Sequence, residues 1–288
     1  MPASARAHVD EGAERGGEGR SAAEADRAYV NEVFLSFQGE GLLSGVRQIF
    51  VRLVSCDTRC PWCDTKRAQA TTGSLSARIE GSPGGPSAGL QNPLGASEVL
   101  REVSRIRKDH GPVEWISLTG GEPTIWRRFL GDLCPMLRQE GFMVQLETNS
   151  HHPETLKDVL PFLDLVSADI KLPFADFEVQ KSTYVEFLSI ARSLARDRDP
   201  AGAWLQWPGV QVKVVVTATI TDAEVVEACR LVAGVDPCIP LILQPLTPVE
   251  GVVTVPDPGQ LLRQQALGLR HLRDVRVMPQ IHKTLRAR

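Results

Sequence analysis

The chain has 288 residues, and its 32 lysines and arginines against 35 aspartates and glutamates give a formal net charge of −3 at pH 7. This balance excludes the strongly basic surface typical of nucleic-acid-binding proteins. No apolar run approaches the ~20 residues that span a bilayer. The six cysteines are too sparse for a disulfide framework, and the polar N-terminus lacks the apolar segment of a secretory signal. We therefore expect a cytoplasmic globular protein that binds neither nucleic acid nor membranes.

Two segments have compositions that do not favour a packed core. Residues 1–27 are rich in Ala, Glu, Arg and Gly and predict a disordered tail. Residues 28–288 predict one α/β domain, interrupted at about 71–95 by a low-complexity insertion rich in Gly, Ser and Pro. A stretch of this composition and length predicts a long loop. We expect no chemistry from the tail or the insertion.

Short apolar runs alternate with amphipathic stretches along the rest of the chain. Strands are predicted at residues 49–54, 115–118, 142–146, 163–168, 210–217, 240–243 and 275–277, and helices at residues 97–108, 129–139, 222–233 and 260–272. Ser97 is a candidate N-cap of the first helix. This rhythm predicts βα units around a parallel sheet, closed into a barrel or left as an open doubly wound sheet. In either architecture, ligands bind at the carboxyl ends of the strands.

Three cysteines, Cys56, Cys60 and Cys63, lie close together after the first predicted strand. Thiolates on one tight loop can converge on a metal or a cluster. A structural zinc site takes four protein ligands, and no fourth cysteine or histidine lies nearby. Three cysteines instead suit a four-iron four-sulfur cluster that keeps one iron open for a small chelating ligand. The other three cysteines are expected to be buried packing residues.

Polar residues follow several predicted strands at the same end. They are Gly120, Gly121 and Glu122 in the string TGGEP, then Asn149, Ser167, Lys171 and Gln244. Two glycines let the backbone approach a ligand closely, and a glutamate accepts a hydrogen bond from an ammonium group. Lys171 is suited to pair with a carboxylate, and Asn149 or Ser167 is suited to hydrogen-bond the same ligand.

The cysteine spacing, with Trp62 just before the last cysteine, and the TGGEP string together resemble radical S-adenosylmethionine enzymes. More specific strings are EVFLSFQGEG at residues 32–41, FVRL at 50–53, CDT at 63–65 and PQIHK at 279–283. These resemble the 7-carboxy-7-deazaguanine synthase family over about residues 30–283. The resemblance implies a partial, incomplete βα barrel with a parallel sheet.

The resemblance also implies a role for each matching residue. Cys56, Cys60 and Cys63 would hold the 4Fe-4S cluster, and Thr65 would bind Mg²⁺. S-adenosylmethionine would be bound by Trp62, Gly120, Gly121, Glu122, Asn149, Ser167, Lys171 and Gln244. A pterin substrate would be bound by Gln38, Gly39, Glu40, Arg52, Gly120 and His282. An electron donor such as flavodoxin and a homodimer are the implied partners.

The implied reaction converts 6-carboxy-5,6,7,8-tetrahydropterin to 7-carboxy-7-deazaguanine, a ring contraction with loss of ammonia in 7-deazapurine or queuosine-type biosynthesis. Reductive cleavage of the cofactor would give a 5′-deoxyadenosyl radical that takes hydrogen from the substrate. One alternative is an activase of glycyl-radical enzymes, which shares the cysteine triplet. A second is a non-catalytic iron–sulfur module, which would need a fourth cysteine ligand.

Overall fold

The computed structural model describes residues 26–69, 76–82, 85–172, 177–195, 209–248 and 254–287. Its strands are β1 (Arg27–Ala28), β2 (Val30–Phe37), β3 (Arg47–Leu53), β4 (Ala77–Ile79), β5 (Ala88–Leu90), β6 (Leu94–Gly95), β7 (Trp115–Gly120), β8 (Met143–Thr148), β9 (Leu165–Ile170), β10 (Val210–Val216), β11 (Leu241–Pro245) and β12 (Val275–Val277). Its helices are α1 (Ala96–His110), α2 (Arg127–Gln139), α3 (Pro153–Val159), α4 (Phe177–Ala191), α5 (Asp222–Val235), α6 (Pro258–Gly268) and α7 (Ile281–Leu285).

Ten of these strands form one sheet in the order β12-β11-β10-β9-β8-β7-β3-β2-β4-β5. Every pair from β12 to β3 is parallel, β2 runs antiparallel to β3, and β5 runs antiparallel to β4. Helices α1 to α6 pack against one another in chain order. Within the described ranges β12 and β5 are the two edges, so the sheet does not close. The expected partial barrel is confirmed.

Alternation along the strands separates an apolar outer face from a polar interior. In β7, Ile116 and Leu118 belong to the main apolar core, together with Val99 and Val103 of α1. Ser117 and Thr119 point to the opposite face, where both hydroxyls donate to the Glu147 carboxylate. Because successive side chains of a strand point to opposite faces, each strand sends every second residue into the barrel interior.

The start of α1 differs from the prediction. The helix begins at Ala96 with Gly95 as its N-cap, and the Gly95 amide donates to Glu98 Oε2 at 2.8 Å. Ser97 therefore lies inside the first turn and does not cap it. The glutamate supplies the acceptor that the serine was expected to supply, and its negative charge suits a helix N-terminus.

The structure also differs from the expected long loop at residues 71–95. Its described parts contain β4, β5 and β6, and β4 extends the main sheet beside β2. Asn92 accepts from the Val30 amide at 2.9 Å and donates to the Val30 carbonyl at 2.8 Å, which attaches this segment to β2. The expected tail lies outside the described residues up to residue 25, and Arg27 begins β1. None of the described helices is both long and apolar enough to cross a membrane.

Candidate active site

A cavity opens at the carboxyl ends of the parallel strands and contains most of the predicted site. Sixteen of the seventeen predicted residues line it, namely Gln38, Gly39, Glu40, Arg52, Cys56, Cys60, Trp62, Cys63, Thr65, Gly120, Gly121, Glu122, Asn149, Lys171, Gln244 and His282. They come from segments at both ends of the chain. The sheet topology brings them together because all parallel strands end at the same rim.

The loop that follows β3 presents the three clustered cysteines to this cavity. The Cys63 amide donates to the Cys60 carbonyl at 3.1 Å, which makes a tight turn. Between Cys56 and Cys60, the Asp57 and Thr58 side chains accept from Asn149 Nδ2 at 2.6 and 3.0 Å. Asn149, predicted as a cofactor contact, thus joins the cysteine loop to the end of β8.

Asp57 is also held by two histidines. Its Oδ2 lies 3.3 Å from His151 Nδ1 and 3.1 Å from His152 Nε2. Burial works against the Asp57 charge, but these hydrogen bonds hold its pKa well below its usual range. The cysteine loop is therefore anchored by an ionised carboxylate to the segment after β8.

The three thiols fit an iron–sulfur cluster better than a single ion. All three are free and partly exposed toward the cavity. Among the described residues, no group of three His, Cys, Asp or Glu side chains is placed to hold one metal ion. In an iron–sulfur cluster each cysteine would bind a different iron, so the three sulfurs need not point to one metal position. Burial raises the pKa of Cys56 to about 12 and also raises that of Cys60, so metal binding must displace the thiol protons.

The TGGEP string mainly joins neighbouring strands. β-Carbons at Gly120 and Gly121 would overlap the carbonyl oxygens of Leu53 and Ser55, so the glycines allow close packing of β7 against the end of β3. Glu122 is buried, and its carboxylate accepts from the Thr148 hydroxyl at 2.7 Å and the Asn149 amide at 2.6 Å. Burial raises the pKa of Glu122.

Ser167 is the one predicted cofactor contact that does not line the cavity. It is buried in β9, and its hydroxyl accepts from Gln211 Nε2 at 2.9 Å. Asp169, on the same face of the strand, and Lys171, just after the strand ends, reach the cavity, where Lys171 Nζ donates to Asp169 Oδ2 at 2.5 Å. Ser167 lies too deep, because it is one side-chain layer further from the strand ends.

The QGE segment after β2 forms another wall of the cavity. Gln38 is buried and donates to Glu147 Oε1 at 2.8 Å and to Gln145 Oε1 at 3.2 Å, which ties it to β8. The Gly39 carbonyl accepts from the Ile281 amide at 3.0 Å. A β-carbon at Gly39 would overlap the His282 ring. The glycine thus lets the C-terminal segment close over the cavity.

One further contact holds the C-terminal segment over the cavity. Lys283 Nζ pairs with Asp64 Oδ2 at 2.7 Å, which connects α7 to the loop between Cys63 and Thr65. Burial lowers the pKa of His282, so its ring is neutral near pH 7 and can donate or accept a hydrogen bond.

Arg52 lies on β3, four residues before the first cysteine. Its Nε donates to Glu32 Oε1 at 3.0 Å, and its guanidinium lies 5.5 Å from the centre of the Phe34 ring. Glu32 also pairs with Arg78 at 2.7 Å on its other oxygen. Nε is used by Glu32, and among the residues that the structure describes the Nη groups of Arg52 have no hydrogen-bond partner, so they can bind an anion in the cavity.

Four further cavity residues had no role assigned from the sequence, namely Asp169, Glu147, Lys213 and Gln280, and of these only Lys213 lay outside every polar string considered. Lys213 lies within the apolar run of β10, and a single lysine in such a strand was the signal that could have identified it. Gln244, which was predicted, donates to Glu40 Oε1 at 3.2 Å, while its buried Oε1 has no hydrogen-bond partner among the described residues. This acceptor is suited to a ligand that carries an N–H or O–H group.

Comparison with known proteins identifies the class and then the family. Residues 51–194, which include the cysteine loop and β7 to β9, match the model of the radical SAM superfamily. The chain therefore belongs to the enzymes that use S-adenosylmethionine with a 4Fe-4S cluster. It is 33% identical to the 7-carboxy-7-deazaguanine synthase of Geobacter sulfurreducens, over 89% of this chain and 96% of that relative. It is 35% identical to the synthase of Thermococcus kodakarensis, over 78% of this chain and 86% of that relative.

These similarities confirm the resemblance, and the chain belongs to the 7-carboxy-7-deazaguanine synthase family. Among solved structures, the crystal structure of QueE from Escherichia coli matches with a TM-score of 0.39 and 22% identity, over 70% of this chain and 89% of that chain.

Proposed function

We propose that this protein is a 7-carboxy-7-deazaguanine synthase that converts 6-carboxy-5,6,7,8-tetrahydropterin to 7-carboxy-7-deazaguanine with loss of ammonia. The observation that carries the proposal is the shared cavity, which is lined by the three cysteines and also by the QGE segment, Arg52 and His282. A radical generated at the cysteine loop would thus form beside a site suited to a carboxylated, N–H-rich heterocycle.

Cys56, Cys60 and Cys63 would hold the cluster, which supplies the electron that splits the cofactor sulfonium. The chain's own residues hold and orient the reactants. Lys171, paired with Asp169 beside the cysteine loop, provides a partly buried cation for the cofactor carboxylate. The Gln244 Oε1 acceptor suits an amino or hydroxyl group of a bound ligand.

Charged and polar groups on the other wall match the chemistry of the pterin. The Nη groups of Arg52 would bind the substrate carboxylate, because a guanidinium presents two parallel donors to two oxygens. Glu40 would accept from the N–H groups of the amino-pyrimidinone ring. Neutral His282, which packs on Gly39, would cover the substrate and exclude water from the radical.

Thr65 is proposed to bind Mg²⁺ only together with the substrate. Its hydroxyl lies 3.5 Å from Cys63 Sγ, and the described residues include no acidic cluster placed to hold an ion. Mg²⁺ prefers six oxygen ligands, so water and the substrate must supply most of them. We expect Thr65→Val to abolish the stimulation of turnover by added Mg²⁺, and Thr65→Ser to retain it. Equal Mg²⁺ dependence in Thr65→Val and the parent enzyme would contradict the assignment.

An anaerobic assay tests the overall function. Reconstituted protein is incubated with reductant, S-adenosylmethionine, Mg²⁺ and 6-carboxy-5,6,7,8-tetrahydropterin, and the products are identified by mass spectrometry. We expect 7-carboxy-7-deazaguanine and ammonia without consumption of S-adenosylmethionine in proportion to product, because the substrate has the same elemental composition as the two products together and the hydrogen taken from it must be returned. Cofactor cleavage with no deazaguanine product would contradict the proposal and would favour the activase alternative.

A flavodoxin-type electron donor is the partner we infer for the surface beside the cysteine loop. Lys66 and Arg67, directly after that loop, are exposed and would attract an acidic protein. We expect a Lys66→Glu/Arg67→Glu variant to lose turnover driven by reduced flavodoxin but to keep turnover driven by dithionite. Equal losses with both reductants would contradict this docking surface.

A homodimer in the cytoplasm completes the proposal. The side chains of Leu262 and Leu269 on and beside α6 are 66% and 49% exposed, and they offer apolar area for a second copy. Light scattering of the reconstituted protein should give twice the chain mass, and a monomer would contradict the dimer.

A reducing compartment would keep the cysteines available for iron, and recovery of the protein outside the cytoplasmic fraction would contradict this location.

A further inference from the structure

Lys213 is a buried cation in the active-site cavity that no sequence motif singled out. It lies in the middle of β10, and its side chain is only 6% exposed. Its neighbours in the strand, Val212 and Val214, point to the apolar core, whereas Lys213 points into the cavity. A lysine in this environment needs charged partners, because an isolated buried ammonium group is strongly disfavoured.

The partners of Lys213 are carboxylates from two different walls of the cavity. Its Nζ donates to Glu40 Oε2 and lies 3.3 Å from Asp169 Oδ1. Asp169 in turn accepts from Lys171 through its other oxygen. The result is a row of alternating charges, Glu40, Lys213, Asp169 and Lys171, which crosses the cavity from the QGE segment to the cysteine side.

Glu40 is held by donors on both of its oxygens. Gln280 Nε2 donates to Oε1 at 2.6 Å, Gln244 Nε2 donates to the same oxygen at 3.2 Å, and Lys213 donates to Oε2. A carboxylate has about four acceptor positions, so Oε2 can still accept from a ligand. Burial opposes the Glu40 charge, yet Lys213 first, and then Gln280 and His282, lower its pKa to about 2.

We infer that Lys213 is a positioning residue that keeps Glu40 an ionised acceptor and thereby makes the cavity select a heterocycle with adjacent N–H donors. The inference rests on the proposed function, which places an amino-pyrimidinone against Glu40. Lys213 interacts with three carboxylates, those of Asp169, Glu40 and Glu147. Without its ammonium group these carboxylates would lose their shared cation, and Glu40 would take up a proton. A protonated Glu40 donates a hydrogen bond and no longer discriminates against a carbonyl group.

Two inert aromatic ligands test this selectivity without turnover. 6-Carboxypterin has an amino group at C2, and 6-carboxylumazine has a carbonyl oxygen there. Calorimetry with cluster-reconstituted protein and S-adenosylmethionine would give both Kd values. We expect the parent protein to prefer the pterin, and Lys213→Met to reduce the ratio of the two Kd values at least about tenfold, since one lost charge-assisted hydrogen bond has roughly this effect. Lys213→Arg, which keeps the charge, should largely keep the ratio.

A second pair of variants, Lys213→Met/Glu40→Gln and Glu40→Gln, tests whether Lys213 acts through Glu40. The pair also keeps the inference testable if Lys213→Met alone does not fold. The double variant Lys213→Met/Glu40→Gln has no unpaired carboxylate at position 40. Its Kd ratio should equal that of Glu40→Gln alone, because residues that act through one group are not additive. The control is Lys181→Met, which removes a lysine–glutamate pair with Glu227 between α4 and α5. Its Kd ratio should match the parent.

Different results would contradict different conclusions. An unchanged Kd ratio in Lys213→Met, or a further fall in the double variant relative to Glu40→Gln, would overturn the role of Lys213. If the parent protein neither prefers 6-carboxypterin nor turns over the reduced pterin, the proposed function itself fails. Iron content of each variant, measured after reconstitution, separates a change in ligand binding from loss of the cluster.

Discussion

Replacing Cys60 with alanine should abolish both the cluster and turnover. With two thiolates left on the loop, the cluster would lose one of its three proposed protein ligands. After anaerobic reconstitution, we expect iron to fall from about four per chain to well below one, with loss of the brown colour and of cofactor cleavage. Iron analysis, visible absorption and electron paramagnetic resonance check this result.

Cys238→Ala is the matched control for this experiment. Cys134 and Cys229 are buried as expected, whereas Cys238 is exposed and does not line the cavity. It is a free thiol with no place in the proposed ligand set, so its loss should leave the iron content unchanged. A full cluster in Cys60→Ala, or bound zinc in the parent protein after purification, would contradict the ligand assignment.

Replacing Arg52 with alanine should lower kcat/KM for the carboxylated pterin about 100-fold. The loss corresponds to about 3 kcal/mol, which is typical of a charge-assisted hydrogen bond removed from a desolvated site. Arg52→Lys should recover part of the activity, because it restores the charge without the planar pair of donors. Steady-state kinetics with the reduced pterin, and cofactor cleavage without it, are the measurements. Cleavage without substrate should persist.

Arg78→Ala is the control for Arg52. Both guanidinium groups pair with Glu32, but the Arg78 side chain is 47% exposed and does not line the cavity. An exposed ion pair contributes at most about 1 kcal/mol, so we expect kcat/KM to change less than about threefold. Equal losses of kcat/KM in Arg52→Ala and Arg78→Ala would show that Arg52 acts by holding Glu32. Arg52 would then not be a substrate-binding residue.

The effects expected of Cys60→Ala and Arg52→Ala differ because the two residues lie in different halves of the cavity, one at the cysteine loop and the other beside the QGE segment. In the proposed function, the cysteine loop would govern whether a radical forms, and the hydrogen bond from Asn149, after β8, to Asp57 anchors that loop. Arg52 and the QGE segment would govern which substrate binds beside that radical. Cys60→Ala should therefore remove cofactor cleavage, whereas Arg52→Ala should uncouple cleavage from product formation.

The features that depend on residues close together in the chain were predicted from the sequence. The three cysteines lie on one loop, so their spacing alone predicts a common site. The β-branched run of β10 and the apolar spacing of Val99 and Val103 in α1 indicated the strands and helices of a βα sheet. The strand rhythm also predicted that the polar residues would meet at one rim, because parallel strands end on the same side.

The sequence did not indicate how deep each side chain lies within the barrel. Ser167 and Lys171 lie in one short string, yet only Lys171 reaches the cavity, since Ser167 is one layer deeper and bonds Gln211. The strands β4 to β6 were missed because their composition is that of a loop, and the sheet supplies the pairing partners that stabilise them.

By itself, the sequence determined the cysteine loop, the rhythm of a parallel sheet and the family, since each depends on the identity and spacing of residues that are near one another in the chain. Only the tertiary structure decided which charges meet. Gln280 hydrogen-bonds Glu40 across 240 positions, and Lys213 reaches it across 173. The folded sheet creates these pairs, because burial removes the water that would otherwise solvate each charge and leaves it only the partners that other strands provide.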